Sequence, residues 1–212
     1  HRALASLRRA GLAAQRGRGS YVLGDEFLRI AFRNHAARPD TIRITPVLEA
    51  LSRHFAETTH FAVLDGAEVV YRAKTDPDHG AVRLTSEIGG RNPAYRTAVG
   101  KVLLSHTVSS ERDLRRIIGD GPLEAKTPRT ITDHRTLWKA LVTARERGFA
   151  IDDQENEPGV NCIALPVRPD PGSPPIGAIS ISALAFRTPL STLIDAAPLV
   201  ESMIAEGMSA HP

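Results

Sequence analysis

The sequence predicts an α+β fold: an antiparallel sheet with flanking helices, preceded by a small basic segment. Three observations predict it. Strand-like stretches come in groups and do not alternate one for one with helices, as a doubly wound parallel sheet requires. Asp65–Gly66 sits between two strand-like runs, Thr58–Leu64 and Glu68–Ala73, a strong hairpin signal. Basic charge is gathered at one end: residues 1–38 hold eight Arg, no Lys and only Asp25 and Glu26 as acids, a net of +6 in a chain totalling +3. A basic end on a mildly acidic body fits a surface that meets phosphates, and equally a solvated basic face.

At 212 residues the chain is long enough for one good core and a small appendage. A single cysteine excludes an internal disulfide and offers no zinc cluster, which fits a reducing, cytoplasmic setting. No apolar run approaches membrane-spanning length. The first residue is His, inside an expected helix, and we expect a further N-terminal piece to precede it.

Residues 1–12 place Ala3, Leu4, Leu7 and Ala10 at helical spacing, with Gly11 as the stop. Residues 13–23 read as two short strands joined by an Arg/Gly turn, with Arg16 and Arg18 at the tip. A helix followed by a basic-tipped hairpin matches the second half of a winged helix-turn-helix, although a helix and hairpin without a ligand read the same way. Asp25–Ala37 is expected as a linker helix, N-capped by Asp25, with Phe27, Leu28 and Phe32 seeking a partner surface, and Arg38–Pro39–Asp40 marks the boundary. The next helix, Ile42–Ala56, carries an apolar stripe with Glu49, Arg53 and Glu57 opposite.

After the hairpin a further strand is expected at Ala81–Ser86, then a loop through Gly89, Gly90 and Pro93. Helices follow at Thr97–His106, Ser110–Ile118 and Asp133–Arg147, the last ended by Gly148. Strands at Phe149–Asp152, Cys162–Arg168 and Ile176–Ala183 precede one closing helix, Pro189–Ala205.

Three stretches can carry chemistry. Thr97–Lys101, TAVGK, opens a helix, where free N–H groups and the dipole favour a carboxylate or phosphate. It lacks P-loop spacing, and its Gly can instead serve helix packing while Lys101 pairs with an acid. Asp152–Val167 places Asp152, Asp153, Glu155 and Glu157 just before a strand bearing Cys162. Neither zinc nor calcium spacing is met, so no metal and no cofactor is expected. No sequence signature sets His60, His79 or His106 beside Cys162, and His54 and His60 receive no role; a structural or pocket-lining thiol is favoured over a nucleophile. In Ala178–Ser182, period two puts Ser180 and Ser182 on one sheet face and Ile179 and Ile181 on the other. Together these pieces are expected to form a sensor site for a small polar molecule.

The chain resembles the IclR-type bacterial transcriptional regulators over nearly its full length. The likeness rests on HRALASLRRAGLA followed by YVLG, on NPAYRTAVGKVLL, on TPRTITD, and on GFAIDDQENEPGVNCIALPV followed by IGAISIS. It implies part of a winged helix-turn-helix over 1–24, a linker helix over 25–38, and a GAF-like effector-binding domain over 39–212. It also implies a DNA operator for the full-length protein, reached here through His1, Arg2, Arg16 and Arg18, and assembly as a homodimer or dimer of dimers. His1 falls within the family's recognition helix, so the chain as given is not expected to bind an operator normally. The effector is implied to be a small organic acid. Its carboxylate would meet the amides of Ala98 and Val99, Asp152, Cys162, Ser180 and Ser182 would line the pocket, and Leu84 and Asn92 would form a wall. Asn92 departs from the apolar residue often found there. The favoured reading is thus a ligand-responsive regulator, a repressor, and not an enzyme. The alternatives are a small enzyme using Cys162 or the acids, and a stand-alone metabolite-binding module.

Overall fold

The computed structural model describes residues 2–36, 39–78, 84–170 and 172–209. The chain divides into two compact units, His1–Ile42 and Arg43–Pro212.

In the first unit, helix α1 (Arg2–Arg9) leads into a hairpin of β1 (Ala13–Gln15) and β2 (Tyr21–Leu23), and α2 (Asp25–Ala36) follows. The strands pair Ala13 with Leu23 and Gln15 with Tyr21, and the tip is closed by Arg16 N–H donating to Ser20 O. Gly24 is fixed by space: a Cβ there would lie 2.0 Å from Gly11 O, because α2 starts directly against the turn that ends α1. The α2 helix begins at Asp25 itself, so Gly24, and not Asp25, precedes its first turn. No residue of α1 is buried, and Phe27, Leu28, Ile30 and Phe32 of α2 are exposed.

The second unit is organised by a six-stranded antiparallel sheet. Helix α3 (Pro39–Phe55), which spans the boundary between units, leads into the hairpin of β3 (Thr58–Asp65) and β4 (Glu68–Thr75). A three-residue edge strand β5 (Arg91–Pro93) and a 3-10 turn (Ala94–Arg96) introduce α4 (Ala98–Thr107), α5 (Glu111–Ile118) and α6 (His134–Arg147). Strands β6 (Ala150–Asp153), β7 (Val160–Val167) and β8 (Gly177–Leu184) precede α7 (Leu190–Asp195) and α8 (Ala197–Ser209). The sheet order is β5-β4-β3-β8-β7-β6. Each sheet face has its own core. Ile163, Ile179 and Ile181 pack with Leu48 and Leu51 of α3 and Val200 and Ile204 of α8, while Ala62, Ala164 and Ala178 pack with α4 to α6 through Val102, Leu104, Leu114 and Leu137. Large side chains on one face and small ones on the other leave room for α4 close to the sheet.

Several expectations change. Ala81–Arg83 of the expected strand lie outside the described residues, and Leu84–Ser86 are not a strand. Pro93 lies in β5 and not in a loop; at a sheet edge the missing proline N–H costs no ladder bond. The closing helix is two helices, since α7 stops at Asp195 and α8 restarts at Ala197. Glu57 is buried and not on the outer face of α3. Ala56 takes a positive φ of 53° after the helix ends, which turns Glu57 inward to accept from Arg187 Nε at 3.0 Å and Thr188 Oγ1 at 2.8 Å.

Candidate functional site

The site grows from a cross-strand row. In antiparallel pairing, directly opposed residues share a face with their Cβ atoms close together. Asp152 of β6 stands opposite Cys162 of β7, and Cys162 opposite Ser182 of β8. One step along, Ser180 stands opposite His60 of β3. All five lie on the face that carries α4. Sequence periodicity gives the alternation within β8; the rows across strands come only with register.

The first turn of α4 lies over this row. Thr97 caps the helix with its side chain accepting from Gly100 N–H at 3.0 Å, and its carbonyl takes the Lys101 N–H. The amides of Ala98 and Val99 donate to no atom of the described residues, and both residues are buried. They are the orphan donors of a helix start, where the dipole adds positive potential. Gly100 serves packing: a Cβ there would lie 2.2 Å from Ala94 O, so α4 runs against the preceding turn.

The acidic loop is fixed from three sides. Asp152 Oδ1 accepts the N–H groups of Glu155 at 2.6 Å and Asn156 at 3.3 Å. Lys101 and Glu155 form a fully buried ion pair. Thr127 Oγ1 donates to Gln154 O at 2.8 Å and Thr130 Oγ1 to Glu155 O at 2.7 Å, so the TPRT turn clips the loop, while Arg129 pairs with Asp153. Three of the four acids, Asp152, Asp153 and Glu155, therefore have separate partners, and among the described residues no group of His, Cys, Asp and Glu is placed to hold a metal ion.

Between α4 and the sheet lies a cavity of about 420 Å³, within the range of small-ligand sites. Every residue expected of the effector pocket, namely Leu84, Asn92, Ala98, Val99, Asp152, Cys162, Ser180 and Ser182, lines it. So do Tyr71, Ser86 and Lys126, which no motif singles out, and His60, for which no role is expected from the sequence. A signal for His60 does exist in the sequence: a ring nitrogen amid the apolar run of β3 needs a partner. It finds Ser86 Oγ at 2.7 Å and, more distantly, Ser182 Oγ at 3.5 Å, and its ring packs against Tyr71 with centroids 5.0 Å apart.

Burial dominates the electrostatics. It pushes Asp152 up to about 7, against the nearby Lys101 charge, and Tyr71 up to about 12. It drives His60 down to about 3, helped by Lys74, so the imidazole is neutral at ordinary pH. The Cys162 thiol is held well above its usual range by burial and by the Asp152 charge; its hydrogen bond goes to Ser182 Oγ at 3.2 Å. In the first unit, Arg2, Arg16 and Arg18 are exposed, and His1 lies outside the described residues, as does His79.

A family model for the bacterial transcriptional regulator IclR C-terminal region matches residues 40–200. The chain belongs to the IclR family. It is 39% identical over 140 residues to the HTH-type transcriptional regulator XynR of Escherichia coli (strain K12), a match covering 66% of this chain and 54% of that relative. It is 30% identical over 192 residues to the Pca regulon regulatory protein of Pseudomonas putida, covering 91% and 65%. An IclR homolog from Microbacterium hydrocarbonoxydans, solved in complex with 4-hydroxybenzoate, shares the fold with a TM-score of 0.74 at 24% identity, over 99% of this chain and 81% of that one. The chain thus spans about half to two thirds of the length of these curated IclR-family relatives.

Proposed function

We propose that this chain is the larger part of a DNA-binding transcriptional repressor whose second unit senses a small organic acid. The observation that carries the sensing role is the pair of unpartnered amides, Ala98 and Val99, opening on a cavity that also holds Asp152 and Ser180. A carboxylate satisfies both amides and gains from the helix dipole. The exposed Lys126 at the lining adds attraction for an anion. The acid named with the Microbacterium homolog, 4-hydroxybenzoate, supports this ligand class. Asp152, when ionised, repels a carboxylate and so faces the other end of the ligand, accepting from a hydroxyl. Domain limits of 1–24, 25–38 and 39–212 accompany this reading.

Sensing is favoured over catalysis because Cys162 donates to a serine and its thiol is held protonated. A Cys162→Ser variant should retain ligand affinity in calorimetry; turnover of the ligand by wild type, lost in the variant, would contradict the sensor.

For DNA, we infer that the exposed Arg16 and Arg18 at the hairpin tip meet phosphates, with Arg2 of α1 and the residue before it in sequence, His1, as further contacts. The full-length protein, working in the cytoplasm as a homodimer or dimer of dimers, should bind its operator with a steep salt dependence. Replacing both tip arginines by Ala should weaken binding and flatten that slope in anisotropy titrations. Unchanged affinity and slope would remove the hairpin from the interface.

A further inference from the structure

We propose that acid sensing in this cavity is proton-coupled: an organic acid enters together with one proton held on Asp152, so occupancy falls as the medium turns alkaline. The inference rests on the acid-sensing reading above and deepens it, because it gives the same site a second input.

Asp152 and the two open amides of α4 line one cavity. The Asp152 side chain is more than nine-tenths buried. Its Oδ1 accepts the Glu155 N–H at 2.6 Å and the Asn156 N–H at 3.3 Å, while Oδ2 receives no donor from the described residues. Lys101 acts on it only through its field, because the ammonium bonds to Glu155, which adds the opposite charge. Burial and the Glu155 charge therefore favour the protonated carboxyl, Lys101 and the two amides favour the ion, and the balance stands at about 7.

A bound carboxylate tips that balance. It brings a second negative charge into a cavity from which it displaces water, and like charges sharing such a site resist joint ionisation. The ligand keeps its charge, since the Ala98 and Val99 amides and the helix dipole favour the ion. The proton comes from the buffer and settles on Asp152 Oδ2, where it turns an acceptor into an O–H donor. The sign of the linkage follows. Affinity is full below about pH 7, where Asp152 of the empty site already holds the proton, and is lost as pH rises above it.

Among the described residues around it, Asp152 alone is poised to take this proton. Cys162, opposite on β7, keeps its thiol proton because burial raises it. Burial drives His60 of β3 down to about 3, leaving it neutral, and pushes Tyr71 of β4 up to about 12. Lys101 of α4 and Glu155 of the acidic loop are paired with each other, and neither lines the cavity. Arg96, before α4, donates to Asn156 Oδ1 at 2.9 Å. Farther round the lining, Arg91 of β5 pairs with Asp65 and Glu68, and Glu87, Lys126 and Glu157 are exposed to water.

The test is calorimetric titration of the chain with lactate, pyruvate and 4-hydroxybenzoate from about pH 6 to 8.5, repeated at pH 8 in phosphate and in Tris, whose ionisation heats differ. Wild type should bind at least one acid with an affinity that falls roughly fivefold or more from pH 7 to pH 8, and should take up most of one proton at pH 8. Asp152→Asn keeps Oδ1 as an acceptor and cannot ionise. Its affinity should stay level with pH and exceed that of wild type at pH 8, with no proton taken up. Cys162→Ser should keep the pH dependence of wild type. In wild type itself, the ¹³C-observed titration midpoint of the Asp152 carboxyl should rise by about one unit or more with the acid bound, a reading that stands even where the Asn variant fails to fold. Level affinity in wild type without a buffer-dependent heat, or a carboxyl midpoint that the acid does not move, overturns the coupling and leaves acid sensing intact. So does proton uptake that persists in Asp152→Asn or vanishes in Cys162→Ser. Failure of all three acids to bind at any pH overturns both.

Discussion

Replacing Lys101 by Met removes the one side-chain partner that the described residues give a buried carboxylate. Lys101 and Glu155 are both nearly excluded from solvent, and Glu155 Oε2 already has no hydrogen-bond partner among the described residues. With the ammonium gone, the side chain of Glu155 is left as an unpaired buried acid between α4 and the loop that carries Asp152. Breaking one side of a buried pair costs about 3–5 kcal/mol, a large share of the ~5–15 kcal/mol that holds a domain together. The loss should appear in urea denaturation as a lower midpoint with an unchanged slope. Lys101→Met combined with Glu155→Leu removes both charges and substitutes apolar volume, so it should recover most of the loss. The pair also sets the pocket, since Glu155 N–H donates to Asp152 Oδ1 at 2.6 Å. Ligand affinity should therefore fall in the single variant even where it remains folded. A single-variant loss under about 1 kcal/mol, the level of an exposed pair, would refute the claim that the pair is desolvated. So would a double variant whose loss equals the sum of the two singles.

Other outcomes follow from the same geometry. Gly100→Ala should force α4 away from Ala94, whose carbonyl oxygen lies 2.2 Å from the new Cβ; it should cost about 1–3 kcal/mol and weaken acid binding, and a thermal melt matching wild type would contradict this. Asp152 has a folded pKa of about 7 against a usual 3.8. The folded state keeps its proton where the unfolded state releases it, so wild type should lose stability between roughly pH 4 and 7, by on the order of 4 kcal/mol. Asp152→Asn should lack that loss and gain on wild type from pH 5 to pH 8 in melting experiments; a constant difference would show that the carboxyl is not desolvated. Phe27→Asp with Phe32→Asp should shift the chain toward monomer in analytical ultracentrifugation, because both side chains are exposed on α2. Equal sedimentation of the variant and wild type would count against α2 as a self-association surface.

Most of the fold was legible because its helices and strands carry their own signals. Asp133 caps α6 by accepting from Thr136 N–H, Gly148 ends it at a positive φ of 83°, and Ile179/Ile181 against Ser180/Ser182 declare the two faces of β8. The failures lie where tertiary contact decides. Strand β5 has three residues and a proline, too little for periodicity, and exists because β4 pairs with it. The α7/α8 break does carry a local signal, Pro198 in the first turn of α8, where a helix start tolerates a proline that its interior does not; the apolar pattern running across it reads as one helix. In the site, the residues named from motifs line one cavity, whereas His60 and Tyr71 join it through register on β3 and β4. The Lys101–Glu155 pair spans 54 positions, and the hydrogen bonds from Thr127 and Thr130 to the acidic loop span 25 to 28. Separations of that size leave no local trace. TPRT could be noticed as a motif, but its task of clipping the loop could not be read.

Acid sensing by the second unit depends on the amides at the start of α4 receiving a carboxylate. The most direct measurement is an amide ¹⁵N–¹H titration of the chain with the tightest-binding small organic acid and, in parallel, with its uncharged amide derivative. The account predicts that the Ala98 and Val99 resonances move furthest downfield with the acid and saturate together with the heat of binding, while the uncharged derivative barely moves them. Saturable binding of the acid that leaves Ala98 and Val99 in place, or equal shifts from the uncharged derivative, would contradict it.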